Sequence, residues 1–229
     1  MSNAKYDKIS VVIPAAGMGR RMKSYGPKPL IKIGNSTIIK NQIGLIQSYI
    51  PGAEIVLVCG FKSDKLMDET PDHIIKIENE GYEDTNVVKS IGMGLRAATK
   101  PTALLIYGDL VFNDVALQSL ILSESSLITN VSTMGEREVG CVVNEYDILE
   151  NIMYDLPHKW GQIAFFCRKE LGLLQEMCWD SKNYKKFGFE IINSIVDKGG
   201  QFKCTDNKNI KIVDIDSSKD IPMAASILI

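Results

Sequence analysis

One short segment narrows the possible folds more than any other. Ile9 to Ile13 is apolar apart from Ser10, and it runs without a spacer into Pro14-Ala15-Ala16-Gly17-Met18-Gly19. A run this short, apolar on both faces, suits a strand buried in a sheet covered by helices. A glycine-rich turn after such a strand lets backbone N–H groups surround phosphate oxygens. Small residues at 15 to 17 also allow a base or ribose to lie close to the backbone.

The chain behind this segment keeps the same alternation. Thr37 to Tyr49 carries helical apolar spacing and is stopped by Pro51-Gly52. Strands are predicted at 54–58, 73–77 and 103–107, with helices at 62–68, 86–98 and 115–122. Alternation of this kind predicts an α/β fold with a mostly parallel central sheet. The second half is less regular. Strands are predicted at 127–134, 140–143, 148–153 and 162–167, and helices at 169–179 and 187–197. Runs at 201–205 and 211–214 are expected to finish the sheet, and 217–225 to close the chain. No internal repeat or linker interrupts it, so 1–229 is read as a single domain. Its residues 1–115 form a nucleotide-binding half and 116–229 an acceptor-binding half.

After the glycine turn come Arg20 and Arg21, then Pro27-Lys28-Pro29-Leu30. The two prolines hold Lys28 on a stiff, extended mount. The loop does not fit a dinucleotide fingerprint, which needs G-x-G-x-x-G and an acidic residue about 20 positions on. It also lacks the G-K-[ST] of a P-loop. Ala15-Ala16-Gly17-x-Gly19-x-Arg21-Met22 followed by Pro27-Lys28-Pro29-Leu30 resembles the head motif of the NTP transferase superfamily. That superfamily comprises sugar-phosphate and choline-phosphate nucleotidyltransferases with a GT-A-like Rossmannoid fold, a mixed, mostly parallel sheet flanked by helices. The likeness continues through 55–61, Glu78-Asn79-x-x-Tyr82, Tyr107-Gly108-Asp109-Leu110 and Asp214-Ile215-Asp216.

The resemblance implies in-line displacement at an α-phosphorus, which asks the protein to position two anions and neutralise spreading charge. It implies Lys28 at the α-phosphate and Arg21 at the β- and γ-phosphates. Ala15, Ala16, Gly17 and Gly19 would form the nucleotide loop. Asp109 follows an apolar strand and a glycine, which puts it at the C-terminal sheet edge where open α/β sheets bind ligands. Mg²⁺ is the implied cofactor, because it takes a few carboxylates together with phosphates and water. Strand alternation sets Asp214 and Asp216 on one face, so pattern does not choose between them; the family's late acidic-Ile-Asp-Ser run selects Asp216. Asn86 and Ser90 open a helix, where Asn is first a cap. The related choline-phosphate enzymes carry a similar turn against the base.

The compact chain and the Tyr82-Glu83-Asp84-Thr85-Asn86 turn look most like CTP:phosphocholine cytidylyltransferases. The expected partners are therefore an NTP, with CTP favoured, and a small phosphorylated acceptor such as phosphocholine or a related amine-bearing phosphate or phosphonate. Glu190 falls in the region where that group places an acidic residue near the acceptor. Lys159 is expected to meet the acceptor phosphate, with Trp160 beside it. Trp179, Tyr184, Phe187 and Phe189 are further aromatics for a cationic headgroup. A sugar-1-phosphate nucleotidylyltransferase is the alternative within this chemistry, and a nucleotide-sensing module is the alternative outside it. A GT-A glycosyltransferase would carry D-x-D, whereas this chain has Gly108-Asp109-Leu110.

Composition closes off other classes. Lys and Arg number 26 against 28 Asp and Glu, a net charge of −2 that suggests neither a nucleic-acid nor a membrane-surface partner. The five cysteines (Cys59, Cys141, Cys167, Cys178 and Cys204) lack C-x-x-C spacing, arguing against disulfide or zinc frameworks. The first eight residues lack the apolar centre of a signal peptide, and a cytoplasmic protein is expected. The apolar residues 224–229 would pack on the core or on a partner copy.

Overall fold

The structure, a computed structural model, describes residues 3–19, 26–130 and 138–228. Arg20 and Arg21, both singled out above, lie outside the described residues, as does the end of the strand predicted at 127–134.

In chain order the first half runs β1 (Ile9–Pro14), β2 (Lys32–Ile33), β3 (Ser36–Thr37), α1 (Ile38–Tyr49), β4 (Glu54–Cys59) and α2 (Ser63–Asp68). It continues through β5 (Ile75–Glu78), α3 (Val87–Ala97), β6 (Thr102–Ile106), β7 (Leu110–Phe112) and α4 (Asp114–Gln118). The second half holds β8 (Ser126–Asn130), β9 (Val139–Val143), β10 (Leu149–Tyr154), β11 (His158–Phe166) and α5 (Arg168–Trp179). It ends with α6 (Gly188–Asp197), β12 (Lys203–Asp206), β13 (Ile212–Asp214) and α7 (Ile221–Ile227).

Among the described residues nine strands form the central sheet in the order β10-β9-β11-β6-β1-β4-β5, with β8 paired to both β11 and β12. β6, β1, β4 and β5 are parallel to one another, while β11 joins antiparallel to β6 and begins a mixed region. Every residue of β1 is buried. Its alternate side chains serve opposite faces. Val11 and Ile13 pack with Ile39, Ile43 and Leu104 on one side, while Val12 packs with Val88, Ile91 and Leu105 on the other. Burying one such side chain is worth about 1.5–3 kcal/mol, so this double-sided packing fixes the position of the strand that carries the glycine loop.

α1 starts where Thr37 accepts from the Lys40 N–H, and α3 starts where Asn86 accepts from the Val87 N–H. Both are side-chain caps of the kind that set a helix boundary. The predicted closing of the sheet needs a correction. β12 joins it through β8, but β13 pairs antiparallel with β7 in a separate ribbon. The reason is a turn at Gly108-Asp109, after which β7 leaves the sheet and offers its own edge to β13. The helix predicted at 115–122 is the five-residue α4, and β11 begins at His158, four residues before the predicted run at 162–167.

Candidate active site

A cavity of about 1050 Å³ opens over the C-terminal ends of β1 and β6. Its floor is set by close backbone approaches. Gly108 donates its N–H to the Pro14 carbonyl at 3.1 Å, and a Cβ on Gly108 would stand 2.8 Å from the Ala15 Cβ. A Cβ on Gly60 would stand 2.7 Å from Ala16. The two alanines are thus wedged between two glycines, and both they and Gly17 and Gly19 line the cavity.

The mount of Lys28 is not extended as expected: an extended Pro27 leads into a single tight turn, Lys28–Leu30, in which Pro29 is buried. Its Nζ donates to Asp109 Oδ2 at 2.8 Å and to Asp216 Oδ1 at 2.7 Å. Burial alone would lower the ammonium's pKa, but the Coulombic pull and hydrogen bonds of Asp109 and Asp216 outweigh it, leaving Lys28 above its ordinary value. The turn that carries Asp109 is held from below by Gln42 of α1, whose Nε2 donates to the Tyr107 carbonyl at 2.9 Å and the Leu110 carbonyl at 2.8 Å. Asp216 is held by its backbone, because its N–H and that of Ser217 both donate to Asp220 Oδ2.

A second lysine stands across the cavity. Lys159 is buried, donating to Glu138 Oε1 at 2.6 Å, with Asp214 Oδ1 at 3.5 Å. Burial raises the Asp214 carboxyl above its usual range; Lys159 opposes that shift, and Asp109 and Asp216 add to it. Asp214 and Asp216, indistinguishable by alternation, therefore serve different lysines, since β13 ends at Asp214 and the chain turns before Asp216. Lys159 reaches the cavity because β11 slips register against β8 between Trp160 and Ala164. Gln162 there takes a left-handed φ of 55°, and such a bulge re-aims neighbouring side chains.

The remaining wall has two parts. On the α3 side, the buried Asn79 donates from Nδ2 to Ser90 Oγ at 3.1 Å and Thr85 Oγ1 at 3.3 Å, with Asn86 alongside. On the α6 side lie Tyr154, Asp155, Phe187 and Phe189. Phe187 and Phe189 stack at 5.7 Å, and Tyr154 meets Phe189 edge-on at 5.6 Å. Trp160 is buried against Tyr107 at 5.8 Å. Gly188 is required here, because a Cβ would fall 1.8 Å from the Tyr107 hydroxyl.

Several sequence-selected residues meet in this cavity: Ala15, Ala16, Gly17, Gly19, Lys28, Asn86, Ser90, Asp109, Lys159, Trp160 and Asp216. Glu190 is placed differently. It does not line the cavity, and its Oε2 accepts from the Phe187 N–H at 2.7 Å, closing the first turn of α6. Trp179 and Tyr184 also stand away from the cavity, under Arg96 and Lys89 respectively. Glu138, Tyr154, Asp155 and Gln42 were missed by sequence reasoning. Gln42 is the fifth residue of α1 with no motif to mark it, and the other three gain their meaning only from the fold.

The cavity's donor set bears on a divalent cation. Among the described residues two ammonium groups, Lys28 and Lys159, face six carboxylates: Asp109, Glu138, Asp155, Asp214, Asp216 and Asp220. Such a site cannot hold a polyphosphate without further positive charge. No group of three or more acidic, histidine or cysteine side chains among the described residues forms a closed metal cage. Asp109 and Asp216 converging on one cationic atom match the open arrangement that Mg²⁺ adopts when phosphates and water complete its shell.

A parallel strand edge, a glycine loop and a lysine between two aspartates define a nucleotide-handling α/β protein of nucleotidyltransferase type. The sequence profile of the MobA-like NTP transferase domain matches residues 11–183, and the chain belongs to this family. Bifunctional protein GlmU of Buchnera aphidicola subsp. Schizaphis graminum is 32% identical over 117 residues, 49% of this chain and 24% of that protein. The 2-C-methyl-D-erythritol 4-phosphate cytidylyltransferase of Mannheimia succiniciproducens is 31% identical over 105 residues, 44% of each chain. The matched stretches thus span less than half of these curated relatives. In fold the chain is similar to the CTP:phosphocholine cytidylyltransferase LicC of Streptococcus pneumoniae, with a TM-score of 0.79 at 17% identity, covering 97% of this chain and 100% of that one. It is equally similar to the inositol-1-phosphate CTP transferase of T. maritima, with a TM-score of 0.78 at 20% identity, covering 96% of each. No helix among the described residues is long and apolar enough to cross a membrane.

Proposed function

We propose that this protein transfers a nucleoside monophosphate, CMP from CTP by preference, to the phosphate of a small amine-bearing acceptor and releases pyrophosphate. The observation that carries this reading is Lys28, on its proline mount beside the glycine loop, reaching Asp109 and Asp216 at once. An acceptor phosphate oxygen attacks the α-phosphorus, and the bond from that phosphorus to the oxygen bridging to the β-phosphate breaks. The electron pair leaves with pyrophosphate. Lys28 donates to the α-phosphoryl oxygens as their charge spreads. The loop amides of 17–19 orient the nucleotide phosphates, and Arg21 is assigned to the β- and γ-phosphates. Asp109 and Asp216 would hold Mg²⁺, which when bound would supply charge neutralisation at the phosphates.

The base is assigned to the polar edge of Asn79, Thr85, Asn86 and Ser90. Preference for cytosine rests on the names borne by the fold neighbours and by one curated relative. Lys159 meets the acceptor phosphate, opposite Lys28. The acceptor's ammonium lies against Tyr154, Phe187 and Phe189, with the Asp155 carboxylate beside them, an arrangement suited to cation–π binding. Glu190 supports this wall from behind by closing the first turn of α6. The five cysteines are free and buried, in keeping with a reducing, cytoplasmic setting.

Pyrophosphate release is the assay, run with Mg²⁺, each of the four NTPs, and phosphocholine, phosphoethanolamine, aminoethylphosphonate and several sugar-1-phosphates. Turnover with CTP and an amine-bearing phosphate is the expected result. Turnover with sugar-1-phosphates alone would retain Lys28 and Asp109 in their roles and reassign the aromatic wall. NTP binding without pyrophosphate release from any acceptor would favour a nucleotide-sensing module.

A further inference from the structure

We infer that Lys28 is the placeholder of the divalent-cation position in the free protein, so that nucleotide and metal ion bind with positive coupling through the movement of this one ammonium. The inference rests on the reading of Asp109 and Asp216 as the metal carboxylates, and it adds which cation occupies their facing oxygens before substrate arrives.

The geometry sets this up in three parts. The two carboxylates come from distant segments, 81 and 188 residues from Lys28 in sequence, and the one ammonium meets both. Both carboxylate mounts are fixed independently of that ammonium. Ile215 donates its N–H to the Asp109 carbonyl at 3.0 Å, Gln42 pins the turn around Asp109, and Asp220 holds the Asp216 backbone. The backbone of Lys28 is fixed as well. Leu30 donates to the Pro27 carbonyl and Ile31 to the Lys28 carbonyl, both at 3.0 Å. The part left free to travel is the side-chain stem, which lies along Gly19; a Cβ on that glycine would come within 3.1 Å of the Lys28 Cγ.

A lysine so placed cannot serve an α-phosphate and neutralise both aspartates at the same time. When the phosphates draw the ammonium away, the oxygens it occupied on two partly buried carboxylates become open to a divalent cation. When the ammonium stays, it competes with the metal for the same oxygens. Linkage requires the effect to be reciprocal: the nucleotide raises metal affinity by the factor by which the metal raises nucleotide affinity. Lys159 is the internal contrast. Its partners, Glu138 and Asp214, are not the pair that converges on Lys28, so its ammonium does not compete for the cation position.

The test is Mn²⁺ binding to the whole protein without nucleotide, read by the EPR signal of free Mn²⁺, for the native chain, Lys28→Met and Asp109→Asn. Lys28→Met should bind Mn²⁺ roughly tenfold tighter than the native chain, a factor within the usual range of coupling between sites. CTP should tighten Mn²⁺ binding to the native chain by a similar factor and to Lys28→Met by much less. Equal or weaker Mn²⁺ binding by Lys28→Met, with binding abolished in Asp109→Asn, overturns the placeholder and leaves the metal reading standing. Unchanged Mn²⁺ binding in Asp109→Asn overturns the metal reading and the placeholder with it. If Lys28→Met does not fold, the native chain decides: amine-directed acylation followed by mass spectrometry should label Lys28 faster with Mn²⁺ bound than without, and equal rates overturn the inference.

Discussion

The two lysines of the cavity reach it by different routes. Lys28 stands on a mount written in consecutive residues, Pro27 to Leu30, and its partners come from the turn after β6 and the segment after β13. Lys159 stands on a strand whose register against β8 slips by two residues just beyond it, and its ammonium turns inward to Glu138 and Asp214. One lysine is set by local chain stiffness and the other by tertiary pairing. The comparison teaches that the first should tolerate change around it but not in it, whereas the second depends on the strand geometry beneath it.

Substitutions can break this contrast. The largest effect is expected for Lys28→Ala, which should lower kcat by on the order of 10²–10³-fold, the usual scale for removing one charge-stabilising donor. Steady-state pyrophosphate release measures it, and a loss confined to the nucleotide KM would make Lys28 a binding group only. Asp216→Asn comes next, with kcat/KM down by roughly 100-fold on the same electrostatic argument. Asp214→Asn should leave kcat nearly intact, and equal losses in the two variants would erase the division of the aspartates between the lysines. Lys159→Ala should raise the acceptor KM by roughly 10–100-fold, the equivalent of one charge-assisted hydrogen bond, with the NTP KM unchanged. Phe187→Ala should raise the KM of an amine-bearing acceptor by about 3–30-fold, the scale of a cation–π contact, and leave sugar phosphates unaffected.

The smallest effect lies outside the site. Glu54 accepts from Ser10 and from the N–H and hydroxyl of Thr99, tying β1 and β4 to the loop before β6. Burial alone would raise its carboxyl, but these hydrogen bonds outweigh burial and hold it below its ordinary value. A carboxylate depressed on folding contributes stability above its unfolded pKa and loses it as pH falls through the folded value. Glu54→Gln should therefore cost about 1 kcal/mol at neutral pH, and the difference in Tm from the native chain should shrink on acidification. A gap that widens in acid would reverse the assignment.

Much of the glycine-loop side of the cavity was legible in the sequence because its signals are local. The apolar run 9–13, the alanines and glycines of the loop, the prolines around Lys28 and the Asn86 cap each act within a few residues. What was not legible depends on partners distant in sequence. The departure of β7 to pair with β13 is fixed by the turn at Gly108-Asp109 and by Gln42 beneath it, and no window around residue 212 reveals it. The choice between Asp214 and Asp216 required knowing where β13 stops. The early start of β11 was hidden because Gly161 and Gln162 read as a strand boundary and are instead the bulge inside it. Glu190 illustrates the converse. Its acidic character was visible, but three positions into a helix that character serves the exposed N–H of Phe187.

The most direct test of nucleotidyl transfer is to follow the α-phosphorus. With CTP labelled at that atom and an amine-bearing phosphate as acceptor, the label should appear in the acceptor conjugate, with one pyrophosphate released for each conjugate formed. Label recovered in free CMP or CDP, with no conjugate and no matching pyrophosphate, would contradict the assignment of Lys28, Asp109 and Asp216 to transfer chemistry.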